Sequence, residues 1–273
     1  MSAGEHDDTP AGACYLCGAR ELQALIEVEG HLIRRCRQCG LGATAGASQA
    51  SYNGAYLQQQ WTGADPSPEQ VERAVRAELP YVRRIERLAR GRRLLEIGAG
   101  HGYFLEAARR RGYEVQGIDI SSAAAEFCQA RFGLPVLVTA IEEADLPDGS
   151  FDVVAAWHVL EHLADPRAAL RKARAWLAPD GVLAVEVPNY ESYDARTLGA
   201  DWPGWQPRYH RWHFTPAALA RLLRKAGFAP SLMWSPPSGV ARDRLKRIPV
   251  IGLFRRALWR FYPGTGVAAI ARR

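Results

Sequence analysis

The chain has 273 residues, enough for one domain of roughly 180 residues with smaller attachments, and its 48% hydrophobic and 23% charged content excludes the disordered and fibrous classes. Its apolar runs fall short of the roughly 20 residues of a membrane span, and the acidic, polar opening MSAGEHDDTP has neither region of a secretory signal, so a cytoplasmic location is expected. The net charge of +6 is local: nine Lys/Arg and one Asp lie from Arg242 onward, and the remainder is slightly acidic, which argues against nucleic acid as the partner of the main body.

Residues 11–48 form the first unit. Cys14-x2-Cys17 and Cys36-x2-Cys39 are separated by eighteen residues, and Gly18 and Gly40 follow the two pairs. This is two-knuckle spacing for a tetrahedral Zn2+ site, and four thiolates leave no open coordination position, so the metal is read as structural. Two disulfides are the alternative, one that a reducing cytosol disfavours. His31 reads as a surface residue and Cys128 as core.

Residues 49–91 read as a helical connector. Val71, Val75, Leu79, Val82, Ile85 and Leu88 recur at helical spacing, and Pro80 predicts a break between two helices.

Residues 92–273 alternate strand and helix. Strands are predicted at 93–97, 114–120, 135–139, 151–157, 181–187, 228–235 and 266–271. Helices are predicted at 102–111, from the Ser121 cap to Phe132, at 166–177 behind Pro166, and from the Thr215 cap to Gly227. The rhythm implies an α/β fold, a doubly wound, mostly parallel seven-stranded sheet. Two insertions interrupt it: an aromatic segment at 188–213 and a basic amphipathic one at 236–262.

The turn after the first of these strands reads Glu96-Ile97-Gly98-Ala99-Gly100-His101-Gly102. Glycines there admit a ligand close to the backbone, and the following helix N-terminus favours an anionic group. Asp119, ending the second strand, is placed to accept hydrogen bonds from ribose hydroxyls. Glu96, inside a strand, has no purpose in a plain dinucleotide site.

These residues resemble the first motifs of class I, Rossmann-like S-adenosylmethionine-dependent methyltransferases, and the resemblance extends over roughly residues 90–235. Phe151–Leu163 and Leu177–Leu183 look like the matching fourth- and fifth-strand segments. The resemblance implies that Glu96, Gly98, Ala99, Gly100 and Gly102 hold the methionine end of the cofactor. It places Asp119 on the ribose, Ile120, Ile141 and Glu142 around adenine, and Trp157 beside them. Many relatives carry an Asp near Ala140; here the nearest acid is Glu142, so adenine contact is expected to rest on backbone groups. A zinc ribbon followed by Tyr52-x3-Tyr56 is similar, more loosely, to methyltransferases of sugars, nucleotide-linked sugars and natural products.

Methylating oxygen or an acidic carbon requires a base, and histidine is the natural one near neutral pH. The candidates are His162 first, then His158, and His210 and His213 in the aromatic insertion. Quinone-pathway O-methyltransferases carry an acidic residue where His158 stands, followed by the same Glu161-His162, and hold a divalent metal with that trio. His158 departs from their pattern. In the insertion, aromatic rings either stack on a flat substrate or pack on one another, and Arg208 or Arg211 could meet a phosphate.

The main reading is a small-molecule methyltransferase acting on oxygen or carbon. An RNA methyltransferase using the ribbon for RNA binding is the second, and a non-catalytic scaffold on the same fold is the third. Residues 242–262 suit peripheral contact with the inner membrane face, or equally a helix packed on the sheet. The acceptor and the oligomeric state are not written in the sequence.

Overall fold

The computed structural model describes residues 12–46, 65–245 and 263–273. The N-terminal cysteine unit contributes β1 (Leu22–Val28), β2 (His31–Cys36) and β3 (Gly42–Thr44), an antiparallel meander. Tyr52, Tyr56 and residues 246–262 lie outside the described residues, and with them most of the basic segment.

The connector helix α1 (Pro68–Glu86) starts at a capping box. Ser67 Oγ accepts from the Gln70 amide at 3.3 Å, and the Gln70 side chain accepts from the Ser67 amide at 2.7 Å. It then runs unbroken through Pro80, where the sequence predicts two helices. Val71 and Val75 before the proline and Val82 and Ile85 after it are buried on one stripe. Burial of four branched side chains, at roughly 1.5–3 kcal/mol each, exceeds the ~3 kcal/mol cost of an interior proline.

Beyond α1 the chain alternates. β4 (Arg93–Ile97) is followed by α2 (Tyr103–Arg110), β5 (Glu114–Asp119), α3 (Ser122–Phe132), β6 (Val136–Val138), β7 (Phe151–Trp157), α4 (Pro166–Trp176) and β8 (Leu177–Pro188). After α5 (Tyr193–Leu198) and β9 (Trp212–His213) come α6 (Pro216–Lys225), β10 (Ala229–Trp234), α7 (Gly239–Leu245) and β11 (Gly266–Arg272). The large sheet has seven strands in the order β10-β11-β8-β7-β4-β5-β6. Its five central and right-hand strands are parallel; β11 runs antiparallel between β8 and β10.

Neighbouring residues Leu94 and Leu95 are both fully buried, so β4 is covered on both faces. Leu94, Val153, Ala155 and Val182 face α1 and α2, and Leu95, Val154, Leu183 and Val185 face α4 and α6. Glu96 shares a face with Leu94 by the two-residue period, which turns its carboxylate toward α1.

The second sheet joins the N-terminal unit to the aromatic insertion. Its order is β1-β2-β3-β9, and β3 pairs with β9 through Gly42↔His213 and Ala43↔Trp212. Trp202, Trp205 and Tyr190 of the insertion are buried against Val28 and Ile33 of the ribbon. Of the two roles open to the aromatic rings, the structure shows mutual packing. Tyr15 fastens the other side: its hydroxyl donates to Asp165, the cap of α4, and accepts from the Arg167 amide at 2.9 Å.

Candidate active site

The carboxyl ends of β4, β5, β6, β7 and β8 open on one edge. Strand order reverses beside β4, which leads to β5 and β6 on one side and lies against β7 and β8 on the other. That is the switch point where doubly wound sheets take ligands. Two cavities flank the loop after β4.

Ile97, Gly98, Asp119, Ile120, Thr139, Ala140, Ile141, Glu142, Val159, His162 and Leu163 are among the residues lining the first. Gly98 has φ +73°, and a Cβ there would come within 2.6 Å of Val159 Cγ2, so backbone conformation and space both require glycine. Asp119 is fixed in place: Oδ2 accepts from the Gly100 amide at 2.8 Å and Oδ1 from the Ser121 amide at 2.9 Å. Burial nevertheless holds its carboxyl above the ordinary range. Gly102, the last glycine of the loop, opens α2 with φ +68° and packs over Cys128, whose thiol is buried as core.

The second cavity lies on the α1 side of the loop, lined by Glu78, Tyr81, Glu96, Ala99, His101, Tyr103, Phe104, Trp157, His158 and Glu186. Three carboxylates share it. Burial, with Glu186 nearby, pushes Glu78 up to about 7, and burial also raises Glu186. Glu96 is raised well above the carboxylate range by burial and by the charges of Glu78 and Asp119. Glu96 is 3% exposed, and neither its Oε2 nor the buried Trp157 Nε1 has a hydrogen-bond partner. A cavity with an orphaned acceptor, an orphaned donor and clustered carboxyls is suited to a polar ligand bearing positive charge.

The sequence marks Glu96, Ala99 and Trp157 for the cofactor, and all three line this second cavity, whereas Asp119, Ile120, Ile141 and Glu142 line the first. Glu78, Tyr81 and Glu186 escaped the sequence reading. Glu78 interrupts the apolar stripe of α1 between Val75 and Val82, and Glu186 interrupts the apolar run of β8, the same anomaly that singled out Glu96.

The four candidate histidines separate into two groups. His158 stands just past β7 with φ +55°, a conformation that a non-glycine residue adopts at a cost. Its side chain is half exposed in the second cavity, with Nδ1 3.3 Å from Glu161 Oε1 and Nε2 3.7 Å from Glu186 Oε1. Burial pushes the His158 pKa down, but Glu161, Glu186 and Glu78 outweigh it and the net shift is upward. His162, His210 and His213 are buried behind it. His162 Nδ1 donates to the Tyr209 carbonyl and His210 Nδ1 to the Gly204 carbonyl, both at 3.0 Å, while His213 Nε2 and Thr44 Oγ1 lie 2.8 Å apart. Burial lowers all three, His210 and His213 to about 3, so they are neutral imidazoles. Arg208 pairs on the outer surface with Glu29 at 3.3 Å.

Two groups of ligating side chains are assembled. Sγ atoms of Cys14, Cys17, Cys36 and Cys39 lie within 4.8 Å of one another, and all four are free thiols. Cys14–Cys39 and Cys17–Cys36 are each 3.5 Å apart, against about 2 Å for a disulfide and about 3.8 Å between sulfurs 2.3 Å from one Zn2+. The second group is Glu161, His162 and His210, also within 4.8 Å. His158 is not part of this group and faces the second cavity.

Fold, glycine loop and acidic clamp together define a class I S-adenosylmethionine-dependent methyltransferase. A family model described as a methyltransferase domain matches residues 67–231, and the chain belongs to that family. Among curated relatives, a ubiquinone biosynthesis O-methyltransferase of Rhodopseudomonas palustris (strain HaA2) is 36% identical over 148 residues, 50% of this chain and 58% of that protein. One of the same description from Cereibacter sphaeroides (strain ATCC 17025) is 33% identical over 172 residues, 59% of this chain and 66% of that protein. The chain thus spans less than two thirds of either. A solved 1,6-didemethyltoxoflavin-N1-methyltransferase of Burkholderia thailandensis shares the fold with TM-score 0.59 and 19% identity, covering 93% of this chain and 99% of that one.

Proposed function

We propose that the protein methylates a hydroxyl oxygen of a small molecule, with His158 as the base. The observation that carries this reading is the placement of His158, at the junction of the glycine loop and the acidic cavity, clamped between Glu161 and Glu186. The curated relatives named O-methyltransferases support oxygen as the acceptor atom.

S-adenosylmethionine, when bound, supplies an electrophilic methyl group on a sulfonium. Asp119 would receive the ribose hydroxyls, and Ile120, Ile141 and Glu142 would bracket the adenine. Glu96 and the loop around Ala99 would hold the methionine end, whose charge would relieve the crowding of Glu78, Glu96 and Glu186. His158 Nε2 would take the hydroxyl proton and so free the acceptor oxygen for the methyl group that the cofactor would supply. Its strained backbone and two carboxylate neighbours hold the ring in place. Glu78, Glu96 and Glu186 offer a diphosphate no positive partner, and Arg208 is engaged elsewhere, so the acceptor we propose brings no phosphate into the cavity.

We further propose that the four cysteines hold a structural Zn2+. The ribbon then acts as a buttress, since β3 carries β9 and Thr44 holds both His213 and, at 2.8 Å, the His210 carbonyl.

The test is turnover of S-adenosylmethionine against a panel of hydroxylated and amino small molecules, using wild type and His158→Gln. Expected is turnover with hydroxyl acceptors, a kcat about 10²–10⁴-fold lower in the variant, and unchanged S-adenosylhomocysteine affinity. Turnover of amines alone would overturn the oxygen reading, and unchanged kcat would remove His158 as the base.

A further inference from the structure

Glu78, Glu96 and Glu186 line one cavity with Tyr81, Tyr103 and Trp157, and the methionine end of S-adenosylmethionine does not balance all three carboxylates. That end carries an ammonium, a sulfonium and a carboxylate, one positive charge net, which eases the crowding without pairing each member. Glu96 stands in β4 just ahead of the glycine loop and is the one assigned to it. Glu78 and Glu186 come from α1 and the carboxyl end of β8. Glu186 is 5% exposed, its carbonyl accepts from the His158 amide at 2.9 Å, and its Oε1 lies 3.7 Å from His158 Nε2. Burial raises both carboxyls; His158 opposes it at Glu78, and His158 with the Tyr81 hydroxyl opposes it at Glu186. One imidazole thus faces two largely buried carboxyls, and Glu161 already engages it at 3.3 Å. The wall carries a separate mark of a ligand: Glu96, 3% exposed, has an Oε2 without a partner, and the buried Trp157 Nε1 has none either.

We propose that the acceptor is an amino alcohol, a small molecule whose ammonium group seats between Glu78 and Glu186, against Tyr81 and Trp157, and whose hydroxyl faces His158. The proposal rests on the hydroxyl-methylating reading above and adds the group by which the substrate is chosen. Among the described residues, the sets whose ligand atoms lie within 4.8 Å of one another do not include these carboxylates, so they are spaced for an organic cation rather than a bare metal ion. The walls suit the same ligand. Tyr81 and Phe104 each meet Trp157 edge to face, with centroids 5.1 and 5.0 Å apart, and aromatic faces attract an alkylammonium once it is out of water. Because Glu186 adjoins the base, a cation held there keeps a nearby hydroxyl within reach of His158 Nε2. A neutral alcohol leaves both carboxyls uncompensated, so the pair that accepts the amine also rejects its neutral analogue.

Calorimetric titration of the full chain, saturated with S-adenosylhomocysteine, tests the proposal with matched probes: choline against 3,3-dimethylbutan-1-ol, and tyramine against 4-propylphenol. Each pair keeps the size and the hydroxyl and drops only the cation. Wild type should bind at least one cationic probe at least about 10-fold more tightly than its neutral match, and Glu78→Gln and Glu186→Gln, singly and together, should shrink that ratio, the double variant to about one. Both substitutions keep the shape of the side chain, and thermal melts check that each variant folds. Equal affinity within both pairs, tighter binding of the neutral members, or no binding of any probe by wild type would overturn the proposal, as would a preference that survives in the variants. Binding is read without turnover, so failure here leaves hydroxyl methylation standing. A preference found in protein that turns over amines alone would count against the oxygen reading and not against this cation site.

Discussion

Glu78 is the residue on which the chemistry of the second cavity bears most heavily. Its folded pKa of about 7 lies above the ordinary 4.5, so the protonated form suits the fold and the ionised form does not. The stability it contributes is complete below about pH 4.5 and is lost as pH rises through 7. Without cofactor, wild type should therefore lose about 1–3 kcal/mol relative to Glu78→Gln between pH 5 and pH 8, read from thermal melts of both proteins. A constant difference across that range would place the Glu78 carboxyl in water. Carboxylates inside apolar patterns were the most legible site residues: Glu96 stood out because its strand was short and its motif known. Glu78 and Glu186 carried the same signal more faintly. What brings them together is convergence from α1 and β8 on one cavity, a tertiary fact that a linear pattern does not hold.

At the scale of elements, strands and helices follow the burial period so closely that seven strands and the caps Ser121 and Thr215 could be placed before any coordinates. Pro80 marks the boundary of that reasoning. A proline breaks a helix when nothing else holds the helix together, and here Val71, Val75, Val82 and Ile85 do. Pro80 is exposed and its missing amide leaves one helical bond unmade, so Pro80→Ala should raise stability by about 1–3 kcal/mol in denaturant unfolding. A destabilised variant would mean that the proline instead fixes a bend that the packing needs. Pairing of β3 with β9 was invisible in sequence for another reason: β9 is two residues long, and its partner lies some 170 residues away.

Considered whole, the molecule is a cofactor-binding sheet with a small sheet pressed against one side, shared between ribbon and insertion. Among the described residues no helix is long and apolar enough to cross a membrane. If the cysteines hold zinc, stripping it should loosen β3 and with it β9, His213 and the tryptophans packed on Val28 and Ile33. Chelation should therefore lower Tm and shift tryptophan emission to the red, and re-added Zn2+ should reverse both. An unchanged emission spectrum would show that the insertion holds its place without the ribbon.

The measurement that bears most directly on the account is calorimetric titration with S-adenosylhomocysteine of wild type and Asp119→Ala. One site per chain in wild type, weakened at least about 30-fold in the variant, corresponds to loss of the charged hydrogen bonds to the ribose, worth about 2 kcal/mol or more. Folded wild-type protein that binds no S-adenosylhomocysteine, or a variant that binds it equally well, would contradict the assignment of this cleft as the cofactor site.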